Sequence, residues 1–214
     1  MAISGLTLTK IPNSNNVGNI DVSLSGKKIN FWAEANSNYS TFSYWSYDIT
    51  YNTQVPQHIS DIVSEREFTV YLPSNADTST IQGTATAYFN GTQKTVTFNP
   101  NGGTLIGNPK LTVTNFSTYQ NVPSASKTNF SFNGWYITST GGNYGPVENG
   151  TPVELATDIT LYANWKSTIT YKKGYGESPE EIIQTQVITN YGSISIINLD
   201  KTYRLGYTLT SWNT

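Results

Sequence analysis

Cysteine is absent from this chain, so neither a disulfide framework nor a thiolate metal site can form, and strand pairing and packing must hold the fold. Histidine occurs once, as His58, which leaves a Ser-His-Asp arrangement a single possible base and excludes a site with several histidine ligands. Charge is scarce: charged residues are 12% of the chain and the net charge is -2. That balance offers no basic surface to a nucleic acid or an anionic membrane. No apolar run approaches the roughly 20 residues needed to cross a bilayer, and MAISGLTLTK lacks the basic start and apolar core of a secretory signal. If the sequence is native from Met1, the expectation is that it is not exported by the usual route; Met1-Ala2 equally fits a start set where a signal has been trimmed away. Phosphate loops are missing as well. Gly102-Gly103 and Gly141-Gly142 lack the lysine and the strand-to-helix setting such loops need, and read as turns.

What the chain does have is Ser, Thr, Asn, Gly and Tyr in abundance, the balance expected of strands and turns. The fold class expected is all-β, with one or two short helices. Residues 1–95 read as an immunoglobulin-like β sandwich, with strands near 4–9, 19–24, 27–35, 41–52, 67–72 and 82–98 separated by turn clusters. Ser25-Gly26 reads as a tight turn and Asn90-Gly91 as a two-residue hairpin turn. Ile59, Ile62 and Val63 fall at helical spacing behind Pro56, which predicts a short helix between Pro56 and Arg66. Phe68, Val70 and Leu72 alternate with Thr69 and Tyr71, the period of a half-buried strand ended by Pro73.

The chain then repeats itself. VTFNPNGG, FSFNGWYIT and ITLYANWK fill residues 96–166, and ITYKKGYGE followed by GYTLTSWNT spans residues 169–214. Val96 to Phe98 corresponds to Ile169 to Tyr171, Phe130 to Tyr207, Phe132 to Leu209 and Trp135 to Trp212. Trp135 lies an odd number of residues past Phe132 and needs a bulge to share its face, which Asn133-Gly134 can supply. Ile159, Leu161, Ala163 and Trp165 take one side of a closing strand, and Thr160, Tyr162 and Asn164 the other. The expected repeat core is Phe98, Phe130, Phe132, Trp135, Leu161 and Trp165, with Tyr171, Tyr207, Leu209 and Trp212 as the second copy's equivalents. No Gly/Ser- or Pro-rich linker separates the modules, and Lys166-Ser167-Thr168 is nearly as short a joint, so their connections are expected to be stiff. The domains expected are residues 1–95, a first repeat module at 96–166, and a partial second module at 167–214.

The series V-T-F, N-G-G, F-x-G-W-Y and L-Y-A-x-W resembles the Listeria–Bacteroides repeat, the internalin B-repeat type of module, and GYTLTSWNT is similar to its middle signature. The resemblance covers 96–166, with 169–214 as a partial copy. It implies a small β-grasp-like module, found in tandem on bacterial surface proteins and in phage structural proteins, with adhesive or spacer roles and no catalytic residues. The second copy departs from it: Lys172-Lys173-Gly174 replaces the Asn-Gly-Gly turn, and the closing ITLYANW strand has no equivalent. Ser178-Pro179-Glu180-Glu181 reads as a capping box, predicting a short helix over 179–187 with Ile182, Ile183 and Val187 inward. A sheet short of its last strand leaves an open edge, to be met by another chain through strand addition or packing, or capped by a strand at 190–197 with solvent beyond it.

No residues are expected to be catalytic, cofactor-binding or metal-binding. His58 reads as a surface or packing residue. The acidic neighbours Asp61 and Glu65, Glu65 and Glu67, and Glu180 and Glu181 read as solvated charges or caps, since a glycosidase pair must face across a cleft. The sequons at Asn38, Asn90, Asn115, Asn129 and Asn149 are expected by chance in such a composition. Alternation along the aromatic run places Trp45, Tyr47, Ile49 and Tyr51 on one face, and Phe42, Tyr44, Ser46 and Asp48 on the other. Phe42, Tyr44 and Asp48 then form a surface for a protein partner or glycan, or for packing between modules. The function expected is a non-enzymatic structural protein of a phage virion, a capsid decoration or appendage, touching capsid or tail proteins or its own copies. The alternatives are a fragment of a bacterial cell-surface adhesin and a carbohydrate-binding module.

Overall fold

The structure, a computed structural model, describes residues 3–142, 145–172 and 182–189. All fourteen elements among them are strands, so the fold is all-β. The chain forms two compact units. Unit 1 comprises Met1–Val96, Lys110–Val122 and Asn149–Ile159, and unit 2 comprises Thr97–Pro109, Pro123–Glu148 and Thr160–Thr214.

Seven strands build the body of unit 1: β1 (Leu6–Ile11), β2 (Gly18–Ser25), β3 (Lys28–Ala35), β4 (Ser40–Asn52), β5 (Pro56–Val63), β6 (Glu67–Tyr71) and β7 (Asp77–Gly91). One sheet has the order β1-β7-β4-β5 and the other β2-β3-β6. Alternation explains the sandwich, because Ile29, Phe31 and Ala33 of β3 and Trp45, Tyr47, Ile49 and Tyr51 of β4 are buried while their neighbours are not. The Phe31 ring meets Trp45 edge-on at 5.5 Å and stacks on Phe68 at 4.3 Å. Burying an aromatic of this size removes about 150–250 Å² from water, roughly 4–6 kcal/mol of gross stabilisation. Gly26 and Lys27 form the two-residue loop between β2 and β3, with Ser25 opposite Lys28. The segments 110–122 and 149–159 pair with each other, Phe116 N–H donating to Val153 O at 2.8 Å, and reach the rest of the unit where Asn115 N–H donates to Thr92 O at 2.9 Å and Phe116 packs against the core.

The remaining strands are β8 (Gln93–Asn99), β9 (Thr104–Ile106), β10 (Lys110–Thr114), β11 (Ser124–Ser126), β12 (Ser131–Tyr136), β13 (Ile159–Lys172) and β14 (Ile182–Thr189). They pair in the order β10-β8-β13-β12, with β14 also on β13, and β9 pairs separately with β11.

Several local expectations are corrected. Residues 56–63 are the edge strand β5, not a helix; Val63 faces Trp45 and Ile59 faces Ile49 along the long β4 ladder. Three apolar residues are too few to separate a 3.6 period from a period of two, and pairing decided between them. Pro56 is tolerated because it is the first residue of an edge strand. The helix over 179–187 is also replaced where the structure describes it, because residues 182–189 form β14 against β13. A short run of β-branched residues gains more by pairing a free strand edge than by nucleating an isolated helix. Asn90-Gly91 is no hairpin turn. Both residues pair with β4, Asn90 with Thr41 and Gly91 with Ser40, and one residue later the chain enters β8 in a different sheet. Glycine is needed there for close approach, since a Cβ on Gly91 would lie 1.9 Å from Asn115 O. The strand anticipated at 190–197 lies outside the described residues.

Candidate functional site

The aromatic run of β4 yields a different surface from the one alternation predicts. The β4–β7 ladder shifts between Phe42 and Tyr44, so that Phe42 faces Phe89, Tyr44 faces Tyr88, and Ser43 is the extra residue. The shift turns Phe42 to the inner side, where it packs against the core with its ring 5.7 Å from Phe89 and 6.4 Å from Trp45. Tyr44 and Asp48 stay on the outer face. Phe42 is therefore not brought together with them.

Cross-strand register sets what surrounds these two residues. One rank across the sheet reads Ile11, Tyr88, Tyr44; the next Thr9, Thr86, Ser46, Ile62; the next Thr7, Thr84, Asp48, Ser60. The Tyr44 and Tyr88 rings stack on one another at 4.4 Å and 17°, and the hydroxyls of Thr9 and Thr86 hydrogen-bond at 2.7 Å. Asp48 Oδ1 lies 2.8 Å from His58 Nε2, with both side chains more than half exposed. The result is a broad hydroxyl-lined face with a carboxylate–imidazole pair, flanked by exposed Ile11 and Ile62. Such a face offers many weak hydrogen bonds and some apolar area, the chemistry of docking. Sequence reasoning missed Tyr88, Thr86 and His58 as members; the signals available were the outward period of β7 for the first two and, for His58, that of β5, whose spacing reads as a helix, and neither means anything until register is known. On the inner face, burial raises the Tyr47 hydroxyl above its ordinary pKa, helped by the Asp61 carboxylate opposite it. Among the described residues no group of three or more His, Cys, Asp or Glu could hold a metal ion.

The repeat core in unit 2 is built as a chain of rings. Phe98 meets Trp135 at 4.9 Å, Trp135 meets Phe132 at 5.3 Å, and Phe132 meets Trp165 at 5.7 Å. The bulge that permits this is present, since Phe132 faces Trp165 while Trp135 faces Ala163. Gly134 adopts φ 99 there, a backbone state that a side chain disfavours. Each indole is also satisfied: Trp135 Nε1–H donates to Pro123 O at 2.7 Å, and Trp165 Nε1–H to Pro100 O and Asn101 O at 3.2 and 3.1 Å. Leu161 is fully buried beside them in sequence. Phe130 lies just outside β12, with the Lys127 ammonium 4.7 Å from its ring centre. Tyr171 lies within β13, while Tyr207, Leu209 and Trp212 lie outside the described residues. Asn115, one of the five sequons, is buried at 2% exposure, and its amide is spent on Leu155 and Thr92.

The Asn-Gly-Gly turn earns its composition here. Asn101 takes φ 47 and Gly102 φ 80, and the Asn101 amide donates to Ser139 O and Ala163 O. The turn is thus stitched to the strand carrying Trp165. No curated protein and no solved structure matches the chain. Residues 95–164 match the family model of the Listeria-Bacteroides repeat domain (Flg_new), the module whose rings, bulge and turn have just been described.

Proposed function

We propose that the chain is a non-enzymatic structural protein of a phage virion, a capsid decoration or appendage component that works through protein–protein contacts. The observation that carries the reading is β13, a single strand of 14 residues that closes the repeat domain and runs on into the opening strand of the second copy. A module whose last strand is its successor's first is an element of a tandem array, and arrays display surfaces and span distances. One described surface supports the reading, the hydroxyl face around Tyr44 and Asp48; other virion proteins or a further copy of this chain are the proposed partners, there or at the second copy. The exposed setting of the His58–Asp48 pair, on an open strand face, fits a surface role.

The test is location. Purified particles from the producing host, analysed by mass spectrometry and by antibody labelling in the electron microscope, are expected to carry the chain at a fixed copy number on their outside. Recovery from the bacterial cell wall with no signal on particles would replace this reading with a surface adhesin. A glycan bound by the wild type and lost in Tyr44→Ala would instead establish a carbohydrate-binding module.

A further inference from the structure

The N-terminal strand of unit 1 is joined to its sheet differently from the antiparallel pairs β2–β3 and β4–β7. β1 lies at the sheet edge and pairs in parallel with β7, from Leu6 opposite Gly83 to Ile11 opposite Tyr88. Gly83 N–H donates to Gly5 O at 3.1 Å at the start of this ladder. β7 then leads the chain out of the sheet at Gly91. Tension entering ahead of Leu6 pulls β1 toward its own beginning, and tension leaving past Gly91 pulls β7 toward its end. In a parallel pair those two directions are opposed along the strand axis. Every hydrogen bond of the ladder is then strained at once, and none opens before its neighbours.

We propose that the β1–β7 pair is a shear clamp that lets the sandwich of β1 to β7 bear tension entering ahead of Leu6 and leaving past Gly91 without unravelling. Two side-chain contacts reinforce it. The Thr9 and Thr86 hydroxyls bond across the pair at 2.7 Å, and the Lys10 ammonium donates to Gly18 O on β2 at 2.8 Å, tying β1 to the second sheet. Sliding β1 by one residue turns the inward Leu6 toward solvent and its outward neighbours toward the core, a cost that opposes slip. The β13–β14 pair is arranged in the contrary way. It is antiparallel, with Lys166 opposite Thr189, so a pull applied between those two residues opens one pair at a time. The clamp goes beyond the proposed virion role and does not depend on it: any surface protein held at one end and loaded at the other would use it.

The absence of cysteine makes a direct test available, because two introduced thiols fix the direction of pull on the full chain. Ser4, Asn13 and Asn90 are exposed. Handles at Ser4→Cys and Asn90→Cys load opposite ends of the β1–β7 ladder, whereas handles at Asn13→Cys and Asn90→Cys load the same end. Rupture is governed by the unfolding rate under load, and releasing residues 4–90 lengthens the tether by about 300 Å, which identifies the event. The expected result is a rupture force several-fold higher for the Ser4 handle, with six as the ceiling set by the six pairs that share the load. Equal forces in the two directions, or a weaker Ser4 direction, overturn the clamp. Both proteins share one fold, so circular dichroism and matched melting temperatures guard against a damaged variant. A chain found on no particle at all, yet strong only along the Ser4 direction, would sink the virion reading and leave the clamp standing.

Discussion

Asn115 offers the sharpest test of how unit 1 holds its non-consecutive segments together. Its side chain is buried at 2% exposure and closes a two-way bond with one backbone residue: Leu155 N–H donates to Asn115 Oδ1 at 2.6 Å, and Asn115 Nδ2 donates to Leu155 O at 2.9 Å. A third bond reaches the Thr92 hydroxyl at 3.2 Å. Asn115→Ala removes both of these side-chain partners from Leu155. An orphaned, largely buried backbone group costs about 1–3 kcal/mol; with Leu155 only half-buried, two such groups at the low end of that range give about 2–4 kcal/mol. The Thr92 hydroxyl can rotate toward water and adds little. For a unit of this size a loss of that order lowers the melting temperature by roughly 8–16 °C. The assay is urea and thermal denaturation of the full chain followed by circular dichroism. Asn90→Ala is the control, since Asn90 is exposed and its change is expected to stay within about 0.5 kcal/mol. Asn115→Asp refines the test. The introduced carboxylate still accepts from Leu155 N–H but opposes Leu155 O, so this variant is destabilised when the new group is ionised and less so when it is protonated. Burial raises the folded pKa of that carboxyl above the unfolded value, and the deficit therefore shrinks as pH falls. An Asn115→Ala protein as stable as Asn90→Ala would refute the reasoning.

Gly91→Ala places a Cβ 1.9 Å from Asn115 O, so the backbone must shift and a loss of about 1–3 kcal/mol is expected in the same denaturation assay. Asp48→Asn breaks only an exposed pair, and stability is expected to change by less than about 1 kcal/mol; a larger loss would mean that the hydroxyl face is structurally essential. Tyr119 is 3% exposed, and burial raises its hydroxyl pKa above the ordinary value of 10.0. The unfolded chain then releases that proton first, so the contribution of Tyr119 is complete below about pH 10 and falls away as pH rises toward the folded value. Tyr119→Phe is expected to flatten the decline in stability measured between about pH 9 and pH 11.

Much of the fold could be read from the sequence where one local rule acted alone. The alternation in β4 set Trp45, Tyr47, Ile49 and Tyr51, which are buried, apart from Tyr44, Ser46 and Asp48, and the odd spacing from Phe132 to Trp135 announced a bulge at Asn133-Gly134 that the ladder contains. What escaped depends on partners far along the chain. Phe42 is turned inward by an extra residue at Ser43, visible only once β4 is laid against β7. Ile59, Ile62 and Val63 satisfy a helical spacing and a strand equally until β4 is present to pair with them. Asn90-Gly91 carries a hairpin composition for an unrelated reason, the close approach of Asn115 O. Of the predicted docking residues, Tyr44 and Asp48 share the outer face, but the company they keep there is set by register, which no local pattern in a single strand encodes.

The two junctions share a physical logic that bears on what the chain does. β7 passes into β8 across Thr92 alone, whose N–H donates to Tyr39 O at 2.9 Å, and β13 runs on past residue 164, where the matched repeat domain ends, to Lys172 without leaving its sheet. Lys166, at the centre of the second junction, is in register with Ser131 of β12 and with Thr189 of β14. A strand has only two flanks, so β12 and β14 must take opposite ones, and the joint is a residue paired on both sides. Bending at such a point requires breaking backbone hydrogen bonds, whereas a Gly/Ser linker bends at no such cost. Tension is then handed from strand to strand and not absorbed by slack chain. Inserting Gly-Gly-Ser between Lys166 and Ser167 separates the two registers and should leave the Trp135–Trp165 core folded, with unchanged tryptophan emission, while amides of β14 lose protection from exchange. If β14 remained as protected as before, the continuity of β13 would be incidental to how the two segments are joined.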